Sequence, residues 1–358
     1  MFGYDYGNAR LRVMKSRLLT RRELDALVEA SSVQGLIAVL AKTPYRKSVE
    51  TALARTSGMD CIAEALRTVL ITSLGKLHTF YRGQAREMVA IVLRSYDVYN
   101  LKAILRGLSR HAAPGEILAT LLPVGELPFE TLAELASASR ARVAIDLLAS
   151  VVSPFAQPLL NLRIEHPGID VSEMELALDQ WHYKKALQYL GEEFLTDSFL
   201  FFAINLDADL ANLLTVLRFA QAPAEREGLQ ERLDIARFED LLFGPGRLPF
   251  ELLAQAADQD TVEAALETLT GTPYQGPLRD GLQAYARTGR LSEFEKQLRR
   301  YRLDWASRLM IKDPLGIGVV LGYLALKINE IRNIRWIAQG INLGLKPNAI
   351  RSEVEFVE

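Results

Sequence analysis

Cysteine is all but missing from this chain: Cys61 is the only one in 358 residues. A single thiol forbids an intrachain disulfide and any cysteine-cluster metal site, which agrees with a reducing compartment. Histidine is scarce too. His78, His111, His166 and His182 stand apart, with no pair one helical turn from each other, so no zinc-ligand spacing exists. Near the C-terminal end the longest weakly charged stretch, residues 314–328, is broken by Lys327 and carries three glycines. It falls short of the roughly 18 to 20 apolar residues that span a bilayer. The opening residues show neither the charged-then-apolar pattern of a secretory signal nor the Arg-rich, Ser-rich character of a transit peptide. The expectation is cytoplasmic residence without a transmembrane segment. No Gly-Lys-Thr or Gly-Lys-Ser of a phosphate loop occurs, and Gly316, Gly318 and Gly322 miss the dinucleotide spacing by one with no strand before them. Close helix packing explains those glycines better. Asp207 with Asp209 is too sparse for a calcium loop, and neither the serines nor Cys61 sits in a nucleophile elbow. No catalytic site, cofactor or metal is expected.

What is present is a globular composition, with 49% apolar and 24% charged residues. The formal net charge of -2 hides a segregation of sign. Residues 1–110 hold 18 basic and 9 acidic side chains, residues 287–336 hold 11 and 5, and residues 111–286 hold 11 and 27. Both ends are basic around an acidic middle, a pattern that suits faces meeting different partners, because summed charge steers association. Arg299, Arg300 and Arg302 are interleaved with Tyr301 and Trp305 and are candidates to face a partner. Asp304 sits among them and the isoelectric point is about 6.2, so the basic footprint of a nucleic-acid binder is lacking.

Apolar residues recur at three and four, as in Leu24, Leu27, Val28 and then Leu36, Ile37, Val39, Leu40, the spacing of one helix face. Sustained alternation of apolar and polar residues is hard to find, so the fold class is all-α. Thr20 and Glu23 form a capping box ahead of an apolar run. Asp313 before Pro314 predicts an N-cap with proline at the first helical position. Turns are expected at Pro114 and Gly115, at Gly244 to Gly246, and at Gly271 to Pro273.

An internal repeat is stronger than any of these signals. Thr43-Pro44-Tyr45, Ser153-Pro154-Phe155 and Thr272-Pro273-Tyr274 each read hydroxyl, proline, aromatic. An apolar helical run precedes each, residues 33–40, 143–148 and 262–269, so each proline stops a helix and the aromatic can fold back on it. Farther on, Asp97, Asn100, Leu101, Ile104 and Arg106 match Asp209, Asn212, Leu213, Val216 and Arg218. Glu330, Asn333, Ile334, Ile337 and Gln339 match both with conservative changes. From proline to asparagine the distance is 56, 58 and 60 residues. A period of about 110 to 120 residues means three copies of one helical module, divided as residues 1–115, 116–240 and 241–358. Residues 221–247 do not align with the rest of the repeat.

On a helix, Asp97, Asn100, Leu101, Ile104 and Leu108 share one face, which places an acid and an amide among large aliphatic residues. Such a pair must be hydrogen-bonded, because an orphaned buried amide costs about 1 to 3 kcal/mol. The backbone of a neighbouring helix or loop end is the expected partner. Arg106 points elsewhere, with a stem able to cover apolar surface while its guanidinium reaches an acid or a helix end. Catalytic carboxylates have no reason to recur once per module, whereas a structural clamp does.

The segment from Ser95 to Gly107, the closing stretch from Gly322 through Glu330, Asn333 and Trp336 to Gly340, and Leu18-Leu19-Thr20 with Thr43-Pro44-Tyr45 resemble the C subunit of the V/A-type rotary ATPases, equivalent to the d subunit of the eukaryotic vacuolar enzyme. The resemblance spans nearly the whole chain. It implies a funnel-like arrangement of three similar helical domains about a pseudo-threefold axis. It also implies a non-catalytic rotor part on the cytoplasmic face of the membrane, between the proteolipid ring and the central-stalk subunits, that transmits torque. No cofactor and no nucleic acid enter that picture. The alternative is a free-standing helical scaffold or adaptor, although solenoids of that kind repeat every roughly 20 to 50 residues.

Overall fold

The computed structural model describes residues 3–165, 170–193, 198–221, 235–244 and 246–357. Among them every regular element is a helix and no strand occurs. After α1 (Asp5–Lys15), the short helices α2 (Arg21–Val28) and α3 (Val33–Leu40) lead through the Pro44-Tyr45 turn into α4 (Arg46–Leu53). Then come α5 (Gly58–Gly75), the single turn α6 (Leu77–Phe80) and the long α7 (Gly83–Ser109). Following α8 (Pro114–Thr120) the order begins again with α9 (Phe129–Ala136), α10 (Ala141–Ser150), the Pro154-Phe155 turn, α11 (Ala156–Glu165), α12 (Val171–Glu192) and α13 (Phe199–Gln221). Past α14 (Ile235–Asp240) it runs a third time: α15 (Phe250–Ala257), α16 (Val262–Thr268), the Pro273-Tyr274 turn, α17 (Gln275–Thr288), α18 (Ser292–Lys312) and α19 (Gly318–Asn342). The helix α20 (Pro347–Arg351) follows. Two short helices, a proline-aromatic turn, a third helix and a pair of longer ones therefore recur three times in the same order.

Local chemistry sets the ends of these helices. Thr20 Oγ1 accepts the Glu23 N–H at 3.3 Å while the Glu23 carboxylate accepts the Thr20 N–H at 2.7 Å, a complete capping box on α2. The hydroxyls of the repeated turns act at the other end. Thr43 Oγ1 donates to the carbonyl of Leu40 at 2.7 Å and Thr272 Oγ1 to that of Leu269 at 2.9 Å, satisfying carbonyls where the helix stops.

Two expected boundaries are corrected. Asp313 does not cap a helix beginning at Pro314; residues 313–317 form a turn, and α19 begins at Gly318. The Asp313 carboxylate still satisfies that helix, accepting the Gly318 N–H at 2.7 Å from five residues upstream. Pro314 cannot serve as the first helical residue because its carbonyl accepts from Arg12 at 2.6 Å and that of Gly316 from Asn8 at 3.0 Å, which holds the turn open against α1. Pro114, in turn, opens α8 instead of merely breaking the chain, with proline at the first helical position. Of the expected Gly244 to Gly246 turn, Pro245 lies outside the described residues, as do residues 222–234 of the unaligned connection and His166.

The helices gather into two compact units. The first comprises Met1–Asp97, Leu122–Pro128 and Leu303–Glu358. In it α1, α2, α3, α5 and α20 pack on α19, and Val319, Val320, Ile334, Ile337 and Ala338 are sealed from solvent. Gly322 lets α18 approach α19 closely: a Cβ there would stand 2.9 Å from the carbonyl oxygen of Ala306. The second unit comprises Val98–Leu121 and Phe129–Arg302. There α12, α15 and α16 pack on α13, enclosing Leu213, Val216 and Leu217. Each such aliphatic side chain stabilises the fold by roughly 1.5 to 3 kcal/mol.

The helix α13 is long and apolar enough to cross a membrane, and the apolar pattern by itself does not set it apart from such a span, yet 72% of its apolar window is buried inside the protein. It is a core helix. The same relation holds in both units: the last helix of one round lies on the first two helices of another, α13 on α15 and α16, and α19 on α2 and α3.

Candidate functional site

The recurring acids lie on these core helices and reach backbone, not ligand. Asp209 on α13 has no exposed surface. Its Oδ1 accepts the N–H groups of Arg247 at 2.9 Å and Leu248 at 3.1 Å, and its Oδ2 accepts the Tyr274 hydroxyl at 2.5 Å. Burial pushes the carboxyl above its ordinary 3.8 while these three donors pull it back. Burial and the adjoining carboxylate raise the Tyr274 phenol, so it stays protonated and donating. The segment that enters α15 must come very near. A Cβ on Gly246 would sit 1.9 Å from Asp209 Oδ1, and only glycine permits that approach. One helical turn on, the fully buried Asn212 donates from Nδ2 to the Gly244 carbonyl at 3.1 Å and accepts the Phe243 N–H at Oδ1 at 2.8 Å. Acid and amide together clasp the backbone groups of Phe243, Gly244, Arg247 and Leu248.

Asp97 on α7 repeats the arrangement with the segment that enters α9. Its two oxygens accept the N–H groups of Glu126 at 2.7 Å and Leu127 at 3.1 Å. A Cβ on Gly125 would lie 2.2 Å from the carboxyl group. Burial moves this carboxyl from its ordinary 3.8 up to about 6, against the pull of the two donors. The folded chain therefore holds the proton more tightly than the unfolded chain, so the associated stability is full below about pH 4 and is lost as pH rises through about 6. On going from pH 7 to pH 4, wild type should gain up to about 3 kcal/mol relative to Asp97→Asn in urea denaturation. A difference that does not move with pH would contradict the shift. Asn100 is fully buried one turn along α7. Phe155 takes the place of the two tyrosines, is buried, and rests against Trp181 with ring centroids 5.0 Å apart.

Glu330 on α19 makes the third set, toward residues at the start of the chain. It accepts the Leu19 N–H just before α2, and its Oε1 accepts the Tyr45 hydroxyl at 2.6 Å. Here a buried cation joins. Lys327 Nζ lies 2.6 Å from Glu330 Oε1, donates to the Tyr45 oxygen at 2.9 Å and stands 4.5 Å from the centre of that ring. Asn333 meets one residue from both sides, donating to the Glu355 carbonyl at 2.8 Å and accepting its N–H at 3.1 Å. In all three copies one N–H that reaches the carboxylate belongs to a leucine two residues ahead of a helix: Leu19, Leu127 and Leu248.

The arginines serve different ends. Arg106 grips Glu175 of α12 through two hydrogen bonds of 2.9 and 2.6 Å, beside an ion pair of Lys102 with Asp179. Arg218 is exposed near the end of α13. Of the trio considered for a partner surface, Arg302 forms a two-pronged pair with Asp207 and Arg299 lies 3.6 Å from Glu295, while Arg300 is exposed. Among the described residues no cluster of three or more His, Cys, Asp or Glu could hold a metal ion. Clamps between helices are what this arrangement provides.

The family model for the ATP synthase (C/AC39) subunit matches residues 7–353. The chain belongs to this family. Among its relatives, the A-type ATP synthase C subunit of Methanocaldococcus jannaschii is 25% identical over 98% of this chain and 85% of its own. The protein of the same name from Methanosarcina acetivorans is 27% identical over 98% and 92%, and that of Pyrococcus abyssi 27% over 98% and 90%. As a member of this family the chain is a structural, non-catalytic part of a membrane-associated ATP synthase complex and has partner subunits.

Several residues of the clamps escape a reading of the sequence although a signal exists. Gly125, Leu127, Pro128, Phe129 and Glu130 recur as Gly246, Leu248, Pro249, Phe250 and Glu251, a direct repeat that marks the clasped segment. Lys327 offers no such signal, since one lysine on an apolar helix looks like any solvated charge.

Proposed function

We propose that this protein is a non-catalytic part of the central rotor, linking the central-stalk subunits to the membrane proteolipid ring on the cytoplasmic face and passing torque between them. The observation that carries this reading is the direction of the clamps. Asp97 at the end of the first module clasps the entry to the second, Asp209 of the second clasps the entry to the third, and Glu330 of the third clasps the entry to the first. A head-to-tail succession that returns to its start supports three modules, close to residues 1–115, 116–240 and 241–358, arranged in a pseudo-threefold funnel. Torque demands a socket that does not shear, and buried charge-assisted hydrogen bonds at the joints made by continuous linkers resist shear because stranding their donors is costly. In this reading one or both of the basic stretches, residues 1–110 and 287–336, contribute to the surface facing the ring and its lipid headgroups, with Arg300 among the residues free of the joints, and the acidic middle faces water or stalk.

The test is reconstitution. The purified protein is mixed with detergent-solubilised proteolipid ring and, separately, with the stalk subunits, and co-migration is followed by size-exclusion chromatography. Binding to both, with a ring affinity that weakens as salt rises, supports the socket. Binding to neither overturns it in favour of a scaffold acting elsewhere.

A further inference from the structure

The segment after α19 is a copy of the linker between the first two modules. Asp97 and Glu330, Asn100 and Asn333, Gly107 and Gly340, Pro114 and Pro347, and Ile117 and Ile350 are all 233 residues apart. The packing repeats along with the spacing. Ile117 lies 2.6 Å from where a Cβ on Gly107 would be, and Ile350 lies 2.7 Å from the same point on Gly340. By this register α20 corresponds to α8, and Glu355 to Leu122, within the stretch that runs on into α9.

The third copy cannot run on in that way. The helices that α19 meets are α2 and α3, which lie near the start of the chain, so no continuous backbone can join Glu355 to Leu19. Side chains span the gap instead. Glu355 is held to α19 by Asn333, by Asn329 Nδ2 on its carbonyl at 2.8 Å and by Arg332 on its carboxylate at 2.6 Å. On the other flank, Arg351 pairs with Asp25 at 3.3 Å and Glu29 at 2.5 Å, Asp25 on α2 and Glu29 just past its end, and the Arg21 guanidinium lies 5.0 Å from the centre of the Phe356 ring. Val354 is buried, and Val357 packs on Leu303, Ala306 and Ala325.

We infer that residues 347–357 are a strap that fastens α19 to α2, and that this joint opens while the joints made by continuous linkers stay shut. The pairs with α2 are half exposed, and ion pairs of that kind contribute about 1 kcal/mol or less. A linker that continues into the next module keeps its clasped segment near the carboxylate even when the hydrogen bonds break, whereas a released strap leaves the joint to the packing of α1, α2, α3 and α5 on α19, with no backbone connection across it. The strap is thus a conformational device: its occupant is the chain's own C-terminal segment, and its release frees Leu19 and Tyr45 from Glu330. The inference stands on the contacts within one unit and does not depend on the rotor reading.

Hydrogen–deuterium exchange resolved to single residues in the unmodified protein is the test. The amides of Leu19 and Glu355 should exchange at least ten-fold faster than those of Leu248 and Phe243, their counterparts in the continuous joint. Equal rates overturn the inference. In the full chain carrying Arg351→Ala and Glu355→Pro, which removes the Arg351 pairs and the N–H given to Asn333, protection across α2 should drop by a further ten-fold or more with α13 and α15 unchanged. Acceleration spread evenly over the molecule, or none, also overturns it.

Discussion

Asp209→Ala is expected to lower the free energy of unfolding by about 3 to 5 kcal/mol. The change strands the N–H groups of Arg247 and Leu248 and the Tyr274 hydroxyl, three donors at a site without solvent access, and each stranded group costs about 1 to 3 kcal/mol before relaxation. Gly246→Ala should do comparable harm from the opposite side, since its Cβ would occupy the place of the Asp209 carboxylate. Tyr274→Phe is the control. It removes one donor and leaves an acceptor satisfied twice, so it should cost about 1 kcal/mol. Phe155 at the equivalent place in the second module shows that a phenyl ring packs there. Urea denaturation reads all three, and a loss under about 1 kcal/mol for Asp209→Ala would mean that the clamp does not hold the entry to α15 on α13.

Glu330→Gln should cost about 3 to 5 kcal/mol by a different route, because it leaves the Lys327 ammonium buried without its counter-charge. Adding Lys327→Met should recover at least half of that loss. The methionine fills similar volume and carries no charge to desolvate, while the glutamine oxygen can still accept the Leu19 N–H and its NH2 can donate to the Tyr45 oxygen that Lys327 has vacated. The two single variants and the double form a cycle whose coupling energy isolates the ion pair. Additive effects would show that Lys327 and Glu330 act independently. Burial and the neighbouring carboxylate hold the Tyr45 phenol well above its ordinary value, so across neutral pH the hydroxyl remains a donor and the cycle can be run without a phenolate intruding.

Much of the molecule is legible in advance from patterns that side chains carry. The apolar period of three and four foretells α3 at its observed bounds, residues 33–40, and the capping box at Thr20 marks the start of α2. The acid and amide pairs can be located because an aspartate and an asparagine on an apolar helix face stand out from their neighbours. Asp313 misleads since a proline after an aspartate looks the same whether it opens a helix or sits in a turn; the contacts of Arg12 and Asn8, some three hundred residues away, decide between them. The helix α13 shows the same limit, because its length and hydropathy are those of a membrane span and only its neighbours reveal that it is a core.

Residue types and their order were enough to read an all-helical chain in which an acid and an amide recur on apolar helix faces, because helix faces, caps and recurrences are properties of neighbouring side chains. The pairing of each clamp was settled by folding alone. A backbone N–H is the same on every residue, so nothing in the letters says that Asp209 takes its donors from Arg247 and Leu248, or that Glu330 reaches back to Leu19. Burial likewise turned Lys327 from an ordinary surface-type residue into the counter-charge of Glu330, a distinction made by the water that surrounding helices exclude and not by the lysine itself.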